Sequence, residues 1–257
     1  MPLASLALAP PDWDLPSNVM AWVSGRKGGV SSAPYESLNL ALHVGDNAAS
    51  VHANRRLVAN ALDASLQWQW LQQVHSDKVV RVNTPVPDIV ADGVITSAPG
   101  IACCVLTADC LSVFFAAKDG SEVALAHAGW RGLASGIIAN TVQGMSVPAE
   151  QLLVCLGPAI GPCHFEVGAE VPETFLRSWA GVIPAAAIAD CFHAVAGTPK
   201  SMADLFRLAR LQLAALGVQS VAGGSECTYC EQDKYYSYRR SGTTGRMLSM
   251  ICLKPAL

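Results

Sequence analysis

The chain has 257 residues, 51% hydrophobic and 14% charged, with a formal net charge of −3. That length can bury a large core, and the charge balance excludes the basic footprint expected of a nucleic-acid-binding protein. No apolar run reaches the roughly 18 residues of a membrane span.

The apolar start, Met1 to Pro11, lacks a basic leading segment and is broken by Pro2, Pro10 and Pro11, so it does not read as a secretory signal. Nine cysteines, several in apolar runs (Cys103, Cys104, Cys155, Cys252), fit reduced thiols in a cytoplasmic protein better than a disulfide framework. No linker or charge block divides the chain, so residues 1–257 read as a single domain.

Val19 to Ser24 reads as a first strand. Gly25-Arg26-Lys27-Gly28-Gly29-Val30-Ser31 follows, a basic glycine-rich loop that can either wrap an oxyanion or make an ordinary turn. Tyr35 to Leu42 has turn signals and no clear period. Asp46 or Asn47 can cap a helix from Ala48 to Leu62, with Val51, Leu57, Val58, Ala61 and Leu62 on its buried face. Trp68 to Val74 reads as a strand ending in His75, and Lys78 to Val82 as another. Ile89 to Thr96 contains the acidic turn Ala91-Asp92-Gly93. Ile101 to Thr107 and Ser112 to Ala117 are strand-like, joined through Ala108-Asp109-Cys110.

Val123 to Ala126 is a short buried strand running into His127, a turn at Gly129, and a predicted helix over Leu133 to Val142. Free N–H groups at such a helix start, with Arg131 beside them, favour an anion. Leu152 to Leu156 reads as a strand, Gly168 to Trp179 as a helix, and Met202 to Leu216 as a helix capped by Ser201 and closed at Gly217. Val218 to Val221 and Met247 to Leu253 are strand-like. Between them lie Cys227-x-x-Cys230, which can be redox-active or half a zinc site although no second Cys-x-x-Cys completes it, and Tyr235 to Tyr238, which can stack on a base but reads rather as a packed strand. Strands and helices mix without strict alternation, so the fold class is α/β with mixed sheets.

His75, Cys110 and His127 close strand-like runs and are all metal-ligand types. Two imidazoles and one thiolate suit Zn²⁺ with an open fourth position, the pattern of a catalytic site. That position can hold a water with lowered pKa or a polarised substrate atom. Alternatively, Cys110 is a nucleophile with His127 as its base, or a small buried hydrophobe. Asp92 and Asp109 are candidates for supporting or acid–base roles, or simply turn formers. His43, His52, His164 and His193 show no partner pattern and read as solvated or core residues.

Taken together, several segments resemble one family. They are Ser24-Gly-Arg-Lys-Gly-Gly-Val-Ser31, Tyr35-Glu-Ser-Leu-Asn-Leu40, Gln73-Val-His-Ser76, Thr107-Ala-Asp-Cys110 and His127-Ala-Gly-Trp-Arg-Gly132. Further along come Gly157-Pro-Ala-Ile-Gly161, Phe165-Glu-Val-Gly168, Cys227-Thr-Tyr229, Ser237-Tyr-Arg-Arg240 and Thr244-Gly-Arg246. The sequence resembles the bacterial laccase-domain proteins, also called multicopper polyphenol oxidases, purine nucleoside phosphorylases of that family, or peptidoglycan editing factors. The departures are Gly25, where a Thr is common, and His164, where small or cysteine residues occur.

The resemblance implies a single-domain α/β sandwich similar to the catalytic domain of a deamidating toxin. It implies a zinc site at His75, Cys110 and His127, with copper as a possible substitute, in a monomer or weak homodimer. It implies phosphorolysis of adenosine, inosine and methylthioadenosine, and deamination of adenosine. Ser37 and Asn39 match a segment at the family's nucleoside site, Arg26 and Arg131 with glycine-rich N–H groups are reasonable phosphate holders, Asp92 is a further substrate-binding candidate, and Asp109 and Arg131 are catalytic candidates. Two other functions follow from the family's other names: hydrolysis of nucleotide-linked muropeptides carrying a wrong amino acid, and copper-dependent phenol oxidation. The chain has six histidines and no His-x-His pair, which argues against a copper cluster.

Overall fold

In the computed structural model, which describes residues 6–255, the strongest apolar runs form the centre of two facing sheets. The first five residues of the apolar start lie outside the described residues. The chain begins with β1 (Leu8–Ala9), β2 (Val19–Ser24), α1 (Ala48–Leu62), β3 (Gln67–Gln69), β4 (Val79–Arg81) and β5 (Gly93–Thr96). Next come β6 (Ile101–Thr107), β7 (Leu111–Ala117), β8 (Val123–Ala128), α2 (Trp130–Ser135), α3 (Ile137–Gly144) and β9 (Leu152–Leu156). The last part carries β10 (Glu166–Val167), α4 (Glu170–Ser178), α5 (Ala185–Ala189), β11 (Phe192–Ala194), β12 (Ser201–Ala203) and α6 (Leu205–Ala215). It ends with β13 (Ser220–Gly223), α7 (Tyr238–Ser241) and β14 (Met247–Leu253).

One sheet has the order β1-β2-β14-β6-β3 and the other β13-β9-β7-β8-β5-β4; β10, β12 and β11 make a small third sheet. Both large sheets are mixed. β3 joins β6 in parallel while β14 pairs antiparallel with β2 and β6. β13 and β4 run parallel to β9 and β5, around the antiparallel centre β7–β8. Val23, Val105 and Ile251 from the first sheet pack against Phe114, Val123 and Leu125 from the second. α1 covers the outer face of the first sheet, with Val58 among Cys104, Leu248 and Met250. The helices after β8 cover the second, through Leu133, Ile137, Phe175 and Leu208. The result is a four-layer α/β/β/α sandwich.

Layering explains the apolar runs. All seven residues of β6 and of β7 are buried, as expected of strands covered on both faces. Phe114 is fully buried between the sheets, so truncating it to Ala should cost about 3–5 kcal/mol. Among the described residues no helix is long and apolar enough to cross a membrane.

Several elements differ from the sequence reading for identifiable reasons. The predicted strand over Trp68 to Val74 stops at Gln69. Beyond it the Gln73 side chain takes over the pairing with β6, donating to Leu106 O (2.9 Å) and accepting from Leu106 N (2.8 Å). The predicted helix over Leu133 to Val142 is two helices, because Gly136 adopts a left-handed conformation (φ 104°) that caps α2 and redirects the chain into α3. The predicted helix from Met202 starts at Leu205, capped by Asp204 (2.9 Å to Arg207 N), while Ser201 lies in β12. Tyr235 and Tyr236 are buried outside any strand, and Ser237 caps α7. On α1 the fully buried face is Val51, Asn54 and Val58, with a polar residue at its centre.

Candidate metal centre

The chain crosses from one sheet to the other at residues 108–110, between β6 and β7. Cys110 immediately precedes β7, and the β7–β8 register sets Ser112 opposite His127 near the end of β8. His127 is also the cross-strand neighbour of Asp92, next to β5, and its N–H donates to Asp92 O (2.7 Å). These pairings bring Cys110, His127 and Asp92 to the same end of the six-stranded sheet.

His75 reaches the same place from a loop. Asp92 organises that loop: its carboxylate accepts from the backbone N–H groups of Val74 (3.2 Å), His75 (3.0 Å) and Ser76 (2.7 Å) and from Ser76 Oγ (2.7 Å). Asp92 Oδ1 also lies 2.8 Å from His127 Nδ1. One buried carboxylate therefore fixes one histidine through its backbone and the other through its ring. Holding the Nδ1–H of His127 leaves Nε2 facing the thiol, as in carboxylate–histidine–metal arrangements.

The ligand atoms of His75, Cys110 and His127 lie within 4.8 Å of one another, with Cys110 Sγ 3.9 Å from His75 Nε2. The two imidazoles meet edge to face, centroids 4.7 Å apart. Gly129 completes the cradle: a Cβ there would stand 3.0 Å from Cys110 Sγ and 3.0 Å from the His75 ring. Three converging N/S donors, with the glycine keeping the space between them clear, suit a metal ion with an open position.

The charges support the same view. Burial pushes the Cys110 thiol up, but the His127 charge and hydrogen bonds from both histidines outweigh it and bring the thiol down to about 6. Burial lowers His127, but the Cys110 thiolate and Asp92 carry it up to about 9. Burial raises Asp92, and hydrogen bonds from His127 and Ser76 hold its carboxyl far below the usual range. Without a cation, the donor set is a thiolate–imidazolium pair.

The cluster opens into a cavity of about 470 Å³ whose wall includes His75, His127, Asp109, Phe165, Tyr238, Arg239 and Arg246. Asp109 has a left-handed backbone (φ 92°). Its Oδ1 accepts from Thr228 Oγ1 (2.6 Å) and its Oδ2 from Arg239 N (2.7 Å). A larger cavity of about 870 Å³, beside β1, β9 and β13, contains no histidine and only Cys155 among cysteines, so size does not locate the chemistry.

The other expected site residues lie outside this cavity wall. The Arg26 guanidinium donates to the carbonyls of Glu36 (3.3 Å) and Gln232 (3.1 Å) and sits over Tyr236. Arg131 is exposed and covers the Trp130 ring. Ser37 Oγ accepts from Gly28 N and Gly29 N (both 3.1 Å), stapling the glycine-rich loop. Asn39 is fully buried, and its Oδ1 accepts from Arg246 N (3.0 Å). Arg26, Ser37 and Asn39 tie loop segments together, Arg131 contacts only its neighbour's ring, and the arginines in the wall are Arg239 and Arg246. Sequence reading assigned neither arginine to the site, and took His43 as solvated or core and Tyr238 as part of a packed strand. The only signal of Arg239 and Arg246 was membership of the motifs Ser237-Tyr-Arg-Arg240 and Thr244-Gly-Arg246, more than 100 residues from the metal ligands.

The description "Multi-copper polyphenol oxidoreductase laccase" belongs to a family that matches residues 20–254. The chain is 46% identical to purine nucleoside phosphorylase PA4543 of Pseudomonas aeruginosa over 95% of this chain and 97% of that protein. It is 45% identical to purine nucleoside phosphorylase YfiH of Escherichia coli, with the same coverage. The crystal structure of NMB0706 from Neisseria meningitidis superposes with a TM-score of 0.88 at 42% identity, covering 96% of this chain and 99% of that one. That of YlmD from Geobacillus stearothermophilus gives 0.82 at 32% identity, covering 95% and 100%. By sequence and by fold, the chain belongs to the multi-copper polyphenol oxidoreductase laccase family, whose relatives here include proteins named purine nucleoside phosphorylases.

Proposed function

We propose that the protein is a zinc-dependent purine nucleoside phosphorylase that also deaminates adenosine slowly. The observation that carries this reading is the open His₂Cys cluster in a cavity walled by two arginines and an exposed tyrosine. The names of the relatives that match over nearly the whole chain support it. When bound by His75, Cys110 and His127, zinc supplies Lewis-acid polarisation of a substrate atom.

The chain's own residues do the rest. Arg239 and Arg246 neutralise phosphate and aim one of its oxygens at C1′ of the ribose. The Tyr238 ring, 60% exposed, offers a face on which a purine can stack. As the phosphate oxygen bonds to C1′, the bond from C1′ to the base breaks. The products are the free base, which takes up a proton from phosphate or solvent, and the sugar 1-phosphate: ribose 1-phosphate from adenosine and inosine, 5-methylthioribose 1-phosphate from methylthioadenosine. Adenosine, inosine and methylthioadenosine all present that bond.

Deamination instead needs water delivered to C6 and a group to pass protons. Asp109 is the only carboxylate in the cavity wall among the described residues, and both its oxygens already accept hydrogen bonds. Asp92 is likewise engaged. The absence of a free carboxylate at the cavity makes phosphorolysis the faster reaction in this reading.

The Cys110–His127 pairing supports a second reading, amide hydrolysis of a nucleotide-linked muropeptide with Cys110 as nucleophile. Phenol oxidation fits the donor set less well, since multicopper chemistry needs more histidine ligands than the two here. The deciding experiment incubates zinc-replete protein with each purine nucleoside plus phosphate, with a nucleotide-linked muropeptide, and with a phenol. Phosphate-dependent release of base supports the proposal. Amide cleavage without nucleoside turnover moves the site to the second reading.

A further inference from the structure

A second set of metal-ligand side chains lies outside the cavity wall. The segment after β9 supplies Cys163 and His164, and the segment after β13 supplies Cys227 and Cys230. The two pairs are 63 to 67 residues apart in the chain, yet the four ligand atoms lie within 4.8 Å of one another. Cys227-x-x-Cys230 lacks a second Cys-x-x-Cys in the sequence; its counterpart in space is the adjacent pair Cys163-His164.

From these contacts we infer that Cys163, His164, Cys227 and Cys230 bind a structural zinc ion that clips the two segments together. Zinc held at about 2.3 Å from sulfur and about 2.0–2.1 Å from nitrogen sets tetrahedral edges of about 3.8 Å between sulfurs and about 3.6 Å between sulfur and nitrogen. The corresponding separations are 3.7 Å for Cys163–Cys227 and 3.5 Å for Cys163–Cys230. The His164 Nδ1 lies 3.2 Å from Cys163 Sγ and 3.4 Å from Cys230 Sγ. All three cysteines are free of disulfides, and the four donors converge on one point as a Cys₃His set does. Three thiolates packed this closely repel one another, and a divalent cation removes that cost.

The surroundings are built for the same purpose. The Gly161 N–H donates to Cys227 Sγ (3.2 Å), the kind of outer hydrogen bond that steadies a ligating thiolate. A Cβ at Gly161 would press on Cys227 Sγ at 3.2 Å and Cys163 Sγ at 3.4 Å. The His164 ring stacks on Tyr229, centroids 3.9 Å apart and planes 15° apart, which fixes its orientation.

Four protein ligands leave no open position, so this site has a structural role, unlike the three-donor cluster. What it holds is the cavity wall. Thr228, inside the Cys-x-x-Cys turn, donates to Asp109, and Arg239 Nη1 donates to His164 O (3.2 Å). Arg240 donates to the carbonyls of Thr228 (2.7 Å) and Tyr229 (2.8 Å). The clip therefore anchors the turn that carries Asp109's partner and one of the two arginines in the wall.

Zinc content and zinc K-edge absorption test this on protein loaded with zinc under reducing, oxygen-free conditions, then desalted. The inference expects two tightly bound equivalents per chain in the wild type, and one in Cys110→Ala, in a shell of about three sulfurs and one nitrogen. Cys230→Ser should lose the other equivalent. Should Cys230→Ser fail to fold, cobalt-loaded Cys110→Ala gives the same answer through strong thiolate-to-cobalt charge transfer with tetrahedral d–d bands. One zinc in the wild type, lost in Cys110→Ala, overturns the inference. One zinc kept in Cys110→Ala with a three-sulfur shell sustains it, even if the three-donor cluster binds no metal.

Discussion

Asp92 and His127 are joined twice, by a 2.7 Å backbone hydrogen bond and by a 2.8 Å contact between the carboxylate and Nδ1. The same carboxylate gathers the N–H groups of residues 74–76, so both histidines of the cluster depend on it. Asp92→Asn puts an amide group where donors already point. Metal affinity should fall about 10–100-fold, the usual effect of losing a partner behind a ligating histidine. Competition with a chelator measures this, and unchanged affinity in a folded variant would remove Asp92 from the account.

Gly129 tests the cradle without altering a ligand. Its backbone (φ −59°, ψ 157°) suits any residue, so Gly129→Ala acts only through the added methyl group against Cys110 and His75. Overpacking of this kind costs about 1–3 kcal/mol, or about a 5- to 160-fold loss of metal affinity if it falls on the ligands. Thermal unfolding of the metal-free variant measures how much of that cost falls on the fold itself, to be subtracted from the loss of affinity. Tight metal binding by Gly129→Ala would mean that the metal sits elsewhere.

The two arginines in the cavity wall separate phosphate binding from loop support. Each Nη1 is spent on backbone carbonyls, His164 for Arg239 and Thr244 and Gly245 for Arg246. Losing a charge-assisted bond to phosphate costs about 1.5–3 kcal/mol, so Arg246→Ala should raise KM for phosphate about 10- to 100-fold. Deamination of adenosine without phosphate should change far less. Arg26→Ala should lower Tm with no selective effect on phosphate, since Arg26 ties Glu36 to Gln232. Steady-state kinetics with phosphate as the varied substrate distinguishes the two, and a phosphate-specific defect in Arg26→Ala would reverse these roles.

Asn54 is the polar centre of the buried face of α1. Its Nδ2 donates to Ser31 Oγ (2.9 Å), Ser37 O (3.1 Å) and Asn39 O (2.8 Å), and its Oδ1 accepts from Val30 N (2.8 Å). Asn54→Ala removes these bonds and leaves buried partners unpaired, a loss of about 3 kcal/mol or more. Denaturant unfolding should show a lower midpoint with an unchanged slope. A loss below about 1 kcal/mol would mean that the loops from Val30 to Asn39 hold themselves.

How legible the molecule was in its sequence depended on whether the signal was local. β2, β6, β7, β9 and β14 were readable because covered strands are short apolar runs, and α1 because Asn47 caps it. His127 stood out because it lies near the end of such a run, and Cys110 because it sits between two of them; His75 was read as closing a strand that in fact stops at Gln69. What stayed hidden was made by distant partners. The Gln73 side chain replaces a strand's backbone, Asn54 serves the loops from Val30 to Asn39, and Arg239 and Arg246 come from the far end of the chain. His164 read as a solvated or core histidine because Cys163 beside it has its partners at Cys227 and Cys230. Arg26 looked like an anion holder because glycines surround it, but its hydrogen bonds go to backbone carbonyls.

The central claim is that the His75–Cys110–His127 cavity transfers ribose from a purine base to phosphate. Chromatographic identification of the sugar product from adenosine tests it most directly, using zinc-replete wild type and Cys110→Ala, each with and without phosphate. The account predicts adenine and ribose 1-phosphate from the wild type with phosphate, a slow trace of inosine without it, and neither product from Cys110→Ala. Intact adenosine in every wild-type sample, with zinc bound by the three residues, would contradict it.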